Sequence, residues 1–385
     1  MKINSFCLGA LAACGLVLSA CQSTSLPASN FPAPDAVLDK MRVANAWFMK
    51  EWPDVGKPIV TNRERPSNIW TRAVYYEGLM ALYAIDSNPG YRDYAVRWGE
   101  FHKWGLRAPG VATRNADDQC CGQTYLALYE MDPKLERWRD IKANIDMIVS
   151  GARNDDWWWI DALQMAMPVY AKLGAITKDP KYVEKMHQIY LYTKNTHGGK
   201  GLFNPADGLW WRDKDFVPPY KEPNGEDCYW SRGNGWVVAA LVRTLSLLPV
   251  DSPYRAEYTT MLTTMCEALR KVQREDGFWN VSLHDPNQFG GKETSGTALF
   301  TYGMAWGIRN GLLPEKIYGP IVAKAWNAMA NEAVHADGFL GYVQGTGKEP
   351  KDGQPVSFTS TPDFTDYGLG CFLLAGSEVY LLGKR

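Results

Sequence analysis

Histidine, pairable cysteine and net charge are what this sequence has least of. The five histidines, His102, His187, His197, His284 and His335, stand far apart and form no His-x-x-x-His element, so no catalytic metal is expected. Cys120, Cys121, Cys228, Cys266 and Cys371 follow Cys21 as an odd set without metal-ligand spacing, which argues against a disulfide framework and for small buried hydrophobes. Forty-one Lys and Arg against 42 Asp and Glu leave a formal net charge of −1, which argues against nucleic acid or an electrostatic membrane surface as partner. Beyond the first twenty residues no apolar run is long enough for a membrane helix. The glycine-rich Gly198-Gly199-Lys200-Gly201 follows no strand and reads as a turn, not a phosphate cradle, so no cofactor is expected.

What is present is a recurrence. Six times a short polar or glycine-bearing cluster runs into an apolar stretch of helical period. The starts are Trp70-Thr71-Arg72, Asp117-Asp118-Gln119, Asp161, Arg232-Gly233-Asn234, Glu293-Thr294-Ser295 and Asp366-Tyr367-Gly368. The stretches that follow are apolar on nearly every face, as helices buried all round must be. Between them, near 36–52, 90–106, 134–150, 180–195, 253–273 and 315–334, charges alternate with apolar residues at three- and four-residue spacing. Twelve helices in outer/inner alternation predict six helical hairpins that bury their faces only by packing on neighbours. The expectation is an all-α fold, an (α/α)6 barrel formed by residues 35–385 as one domain, with an open solenoid as the alternative. Closure would gather all six polar junctions into one cleft.

The N-terminus reads differently. Met1-Lys2-Ile3-Asn4 and the apolar run from Phe6 to Ala20 predict a signal peptide over 1–20, too short to span a bilayer. Leu18-Ser19-Ala20-Cys21 resembles the bacterial lipobox, which makes Cys21 the expected lipidated residue; an ordinary secretory signal cut nearby is the alternative. Residues 21–34, rich in Ser, Pro and Ala, would be a flexible tether, and the chain an exported lipoprotein held at the membrane by its anchor alone, facing the periplasm or on the outer membrane.

Sixteen tryptophans is a high count, and Trp157-Trp158-Trp159, Trp210-Trp211, Trp230 and Trp236 sit outside the helical periodicities. Indole faces beside carboxylates and amides suit a carbohydrate subsite, because sugar C–H faces stack on rings while hydroxyls take directed hydrogen bonds. Asp161, after three tryptophans, either caps its helix or, raised in pKa by burial, serves as a general acid. Asp117 and Asp118 open the second inner helix, one as cap and one facing the cleft, in an order the residues do not assign. In Trp230-Ser231-Arg232-Gly233-Asn234-Gly235-Trp236, the Arg232 guanidinium fits a sugar carboxylate in a bidentate fork, or pairs with Glu226 or Asp227.

Together, Trp159-Ile160-Asp161-Ala162-Leu163-Gln164-Met165-Ala166, Gly208-Leu209-Trp210-Trp211, the Trp230–Trp236 string and Glu293-Thr294-Ser295-Gly296-Thr297-Ala298 resemble the unsaturated glycuronyl hydrolases of glycoside hydrolase family 105 and the related family 88. The resemblance covers nearly the whole chain after Cys21 and implies the same helical barrel. It implies removal of a 4,5-unsaturated uronic acid from the non-reducing end of oligosaccharides left by polysaccharide lyases, by hydration of the double bond. Asp161 takes the position of the catalytic acid and Asp117 that of the second acid, with Asp118 possible. Trp159, Trp211, Arg212, Trp230, Arg232 and Trp236 fall at expected sugar contacts. The chain departs from many members at Arg212 and Ser150, where they carry histidine, and Arg212 would favour an acidic or sulfated sugar.

The expected substrates are rhamnogalacturonan fragments of pectin, with unsaturated glucuronyl fragments of ulvan, arabinogalactan or glycosaminoglycan as alternatives. A non-catalytic surface glycan-binding lipoprotein would need the tryptophans but not Asp161. An epimerase on the same barrel would need histidine partners in the cleft, where only His284 lies near a junction.

Overall fold

The computed structural model describes residues 31–60, 63–359 and 366–385. The expected signal peptide, Cys21 and most of the tether lie outside the described residues. The helices run α1 (Pro34–Glu51), α2 (Trp70–Asp86), α3 (Pro89–Phe101), α4 (Ala116–Gln119), α5 (Cys121–Met131), α6 (Glu136–Val149), α7 (Asp161–Thr177), α8 (Lys181–Asn195), α9 (Ser231–Leu247), α10 (Arg255–Arg270), α11 (Thr294–Arg309), α12 (Glu315–Ala328) and α13 (Asp366–Gly383). Two short antiparallel ladders, β1 (Ile59–Val60) with β2 (Glu64–Arg65) and β3 (Phe203–Asn204) with β4 (Leu209–Trp210), sit in the connecting loops.

The apolar pattern decides which helices go inside. α11 is buried at every residue from Thr294 to Ile308, whereas α1 buries only Val37, Leu38, Met41, Ala44, Asn45 and Phe48, a single stripe. The inner set closes: α2 packs on α5, α5 on α7, α7 on α9, α9 on α11, α11 on α13, and α13 back on α2. This is the (α/α)6 barrel, closed rather than solenoidal. Each inner helix is backed mainly by the outer helix that follows it, and α1 lies chiefly against α13, so the two ends of the described chain form the sixth hairpin. The second inner helix is split at Cys120, with Asn115 capping its first piece by accepting from the Asp117 N–H at 3.0 Å.

Of the residues assigned to the tether, those from Phe31 on are described, and they are not free chain. Phe31 is buried and its ring meets α12 at Gly319, because an aromatic side chain there covers apolar surface that a mobile segment would leave wet.

The closing seam between α2 and α13 is tight. A Cβ at Gly370 would fall 2.2 Å from the Val74 carbonyl oxygen, and one at Gly78 would fall 2.4 Å from that of Gly370. Neither contact is a flexible side chain that can step aside. Alanine in place of glycine inside a helix normally adds about 1 kcal/mol. Gly370→Ala is expected to reverse that sign and lower the urea midpoint; an unchanged or raised midpoint would show that the seam can open.

Candidate active site

Two inner-helix starts and one loop build the centre. Trp159 forms a bridge with Asp213, and the Ile160 N–H donates to the Arg212 carbonyl at 3.0 Å, so the loop entering α7 is pinned to the segment after β4. That pinning sets Asp161, first residue of α7, opposite Arg212. The cap position of α7 is Ile160, so Asp161 stands in the helix's first turn and not at its cap. Arg212 Nε stands 3.3 Å from Asp161 Oδ2 without hydrogen-bond alignment, and neither atom has another partner. Arg212 Nη1 donates to Asp213 Oδ2 at 2.6 Å, which holds the guanidinium in place. Burial pushes the Asp161 carboxyl above its usual range, opposed by the charges of Arg212 and Arg232.

Asp117 shares this field. Desolvation, then the negative charge of Asp161, raise its pKa to about 7, against the pull of Arg107 and Arg212. Its side chain makes no hydrogen bond among the described residues. With the Asp161 charge acting on it, Asp117 does not ionise readily beside an ionised Asp161, and one proton stays with the pair near neutrality. The neighbour Asp118 is used otherwise: Arg107 Nε donates to its Oδ1 at 2.6 Å and Thr113 Oγ1 to its Oδ2 at 2.7 Å. The expectation of Asp118 at the substrate is corrected: both its oxygens are tied down, and it braces α4, which carries Asp117, against the preceding loop.

The tryptophan and arginine string is likewise a wall. Arg232 Nη1 and Nη2 donate to the carbonyls of Gln344 and Gly345 at 2.9 and 2.7 Å, between the rings of Trp230 and Tyr367. Its fork is filled by main chain, neither by Glu226 or Asp227 nor left open for a ligand. Trp230 donates from Nε1 to Gln344 Oε1 at 2.9 Å, and Tyr367 donates to the Gln344 carbonyl. Trp236 is fully buried, edge-on to Trp70 and Tyr367. The expected sugar contacts at Trp230, Arg232 and Trp236 therefore give way to packing, because residues 0–1 % exposed offer no free face. Trp159 and Trp211 are also buried, and Trp211 donates from Nε1 to Asp227 Oδ2 at 3.2 Å.

The indole that faces outward is Trp158, 52 % exposed, with the Arg212 guanidinium 5.7 Å from its ring centroid. Three consecutive tryptophans carried the signal; which one turns out depends on the bridge at Trp159. Asn234 is a second residue with an unforeseen part. It accepts from the Trp210 N–H at 2.9 Å and donates to the Trp210 carbonyl at 3.0 Å, stapling β4 to α9.

A pair of apposed carboxyls and a fixed guanidinium, beside an exposed indole at the junction end of a closed helical barrel, define a carbohydrate-processing hydrolase. The comparisons agree. The Glycosyl Hydrolase Family 88 model matches residues 40–382, and the chain belongs to that family. It is 33% identical over 334 residues, 81% of this chain and 84% of the relative, to an unsaturated 3S-rhamnoglycuronyl hydrolase of Formosa agariphila. A solved family 88 glycosyl hydrolase from Bacteroides vulgatus superposes with a TM-score of 0.83 at 35% identity, covering 91% of this chain and all of that one. A second solved chain, named a polysaccharide lyase, superposes at 0.82 with 34% identity over 90% of this chain and 97% of its own. The protein is thus a glycosidase of the unsaturated glycuronyl hydrolase kind.

Proposed function

We propose that the protein removes a 4,5-unsaturated uronic acid from rhamnose at the non-reducing end of lyase-made oligosaccharides, with Asp161 as the acid. The observation that carries this reading is the buried Asp161 carboxyl, raised above its usual range, with Oδ2 unpartnered 3.3 Å from Arg212 Nε and its charge coupled to Asp117. A protonated carboxyl there delivers its proton to C4 of the enol ether and, now ionised, takes one from water as that water bonds to C5. The hemiketal formed at C5 opens to a ketone, and C1, left as a hemiacetal, releases the sugar alcohol. No covalent glycosyl-enzyme forms, unlike the two-carboxyl route at the anomeric carbon. Asp117 supports the mechanism by keeping the shared proton in the pair, and Arg212 by holding Asp161 in position. The Formosa relative's name supports rhamnose as the adjoining sugar. Cys21, as a lipid-bearing residue, would place this activity on an exported protein.

The test is the ultraviolet band of the conjugated double bond, followed with lyase digests of rhamnogalacturonan, ulvan and a glycosaminoglycan. Loss of the band on a rhamnose-containing digest is the expected result. A rise on an intact polysaccharide would instead favour the lyase reading that one solved neighbour's name raises, since lyases create this double bond. A flat trace with retained binding would favour a glycan-binding protein.

The proton count adds a prediction. An acid that must be protonated works below its titration and fails above it, so kcat/KM should decline as pH rises through the range of the Asp161 carboxyl, which burial holds above the ordinary one. In Asp117→Asn the neighbouring negative charge is gone, Asp161 ionises more readily, and the alkaline limb should move to lower pH. A limb that stays put would remove Asp117 from the pair.

A further inference from the structure

One turn beyond the two acids, their helices rest on the same side chain. Cys120 follows Asp117 by one helical turn and Gln164 follows Asp161 by one, so each lies on its acid's face of the chain, further into the barrel. Both reach Glu77 of α2. Gln164 donates from Nε2 to Glu77 Oε2 at 2.7 Å, and the Cys120 thiol donates to Glu77 Oε1 at 3.3 Å. One carboxyl, 2 % exposed, thus gives an oxygen to each of the two helices that carry Asp117 and Asp161.

The bridge belongs to a closed ring. Arg243 of α9 stands with Nε 3.6 Å from Glu77 Oε2 and donates from it to Gln123 Oε1 at 2.8 Å, while Gln123 of α5 donates from Nε2 to the Gln164 carbonyl at 2.7 Å. The links from α2 to α7 and from α2 to α9 join helices that are not neighbours in the inner ring, so they cross the interior of the barrel. A carboxyl buried this deeply costs stability that an apolar side chain of the same size would not, so packing alone gives no reason for it. Burial pushes Glu77 up to about 7, against Arg243, the Cys120 thiol and Gln164. Arg243 is the cation acting on it; Cys120, Tyr302 and Cys371 lie in its field, and burial raises all three so that they stay neutral.

We propose that Glu77 is a positioning residue for the reaction: by tying Gln164 to Cys120 it fixes the separation of Asp161 and Asp117 one turn away, and with it the proton that those two carboxyls share. The inference rests on the hydrolase reading above. Glu77 itself touches neither substrate nor the reacting atoms.

The experiment measures kcat and KM per folded enzyme on an unsaturated uronyl–rhamnose disaccharide for the wild type, Glu77→Gln and Glu77→Ala. Glutamine keeps an acceptor for Gln164 and a polar group for the Cys120 thiol, whereas alanine releases both helices. Glu77→Ala should lose about 10- to 100-fold in kcat with KM nearly unchanged, as misplaced catalytic groups do, and Glu77→Gln should recover most of that loss. If Glu77→Ala does not fold, Gln164→Leu carries the same expectation: it cuts one arm and spares the carboxyl, and Gln164 Oε1 is already without a partner. The titration of Asp117, followed by carboxyl-carbon NMR and assigned with Asp117→Asn, reads the spacing without turnover. It should move to lower pH in Glu77→Ala and Gln164→Leu, where the Asp161 charge acts from farther off, and hold in Glu77→Gln; Arg107, Asp118 and Arg212, the other charges on Asp117, are present in all three. Full kcat in the folded alanine or leucine variant, an equal loss in Glu77→Gln and Glu77→Ala, or an unmoved Asp117 titration overturns the positioning role, even where the thermal midpoint falls. Wild-type turnover alongside such a result leaves the hydrolase reading intact. No wild-type turnover counts against that reading, and the titration then judges Glu77 by itself.

Discussion

Asp161→Asn is expected to lower turnover by about 10²- to 10⁴-fold while leaving the fold and the binding of unsaturated oligosaccharide in place. Asparagine keeps the shape and takes away the transferable proton. The fold should tolerate the change, because Asp161 stands one position past the cap of α7, its Oδ2 has no hydrogen-bond partner, and its contact with Arg212 lacks alignment. Removing a desolvated carboxyl can even raise stability slightly. The measurements are the decay of the ultraviolet band, the thermal midpoint and calorimetric binding, taken on one preparation. Turnover within a factor of a few of wild type would move the acid elsewhere, with Asp117 the first place to look.

Arg72→Ala is expected to cost about 3–5 kcal/mol, the effect of leaving one partner of a buried ion pair alone. Arg72 begins the first inner helix and Asp366 the last, and the two meet at 2.5 Å with side chains 0 % and 8 % exposed. The guanidinium also lies over Trp52, 4.2 Å from its ring centroid. The truncation therefore strands a carboxylate and opens a space at the point where α13 returns to α2. Urea denaturation reads the loss directly. Changing both partners, Arg72→Met with Asp366→Leu, should recover most of it, because two apolar groups strand no charge. A cost below about 1 kcal/mol for the single change would mean that the pair is incidental to closure.

The two predictions divide what holds the barrel shut from what works inside it, and the sequence exposed these unequally. All six inner helices were legible because their pattern is local: small and apolar residues on every face of α7 or α11 fit no environment but a packed one. Closure was favoured over an open solenoid, since six such hairpins leave two raw faces unless the ends meet, and the packing of α13 on α2 decides it. How they meet was not legible, because the Gly78–Gly370 approach joins positions some 290 residues apart.

In the site, residue type was informative and direction was not. Asp161 and Asp117 stood out as acids at helix starts, yet the same reasoning applied to Asp118, which Arg107 and Thr113 immobilise. The Arg232 fork fits a sugar carboxylate by residue type, yet it is filled by the backbone of a loop more than a hundred residues away. Nothing local distinguishes Trp158 from the buried tryptophans on either side, and it is the one turned to solvent.

The sequence by itself determined the six hairpins, the alternation of buried and half-buried helices and the acids at their starts, because each depends on neighbours within one or two turns, though not the split of the second inner helix at Cys120. Only the tertiary structure decided which acid is free, which guanidiniums remain available and which indole is exposed. Those properties depend on partners brought in from other turns of the barrel, and a polar side chain's availability is whatever those partners leave unsatisfied.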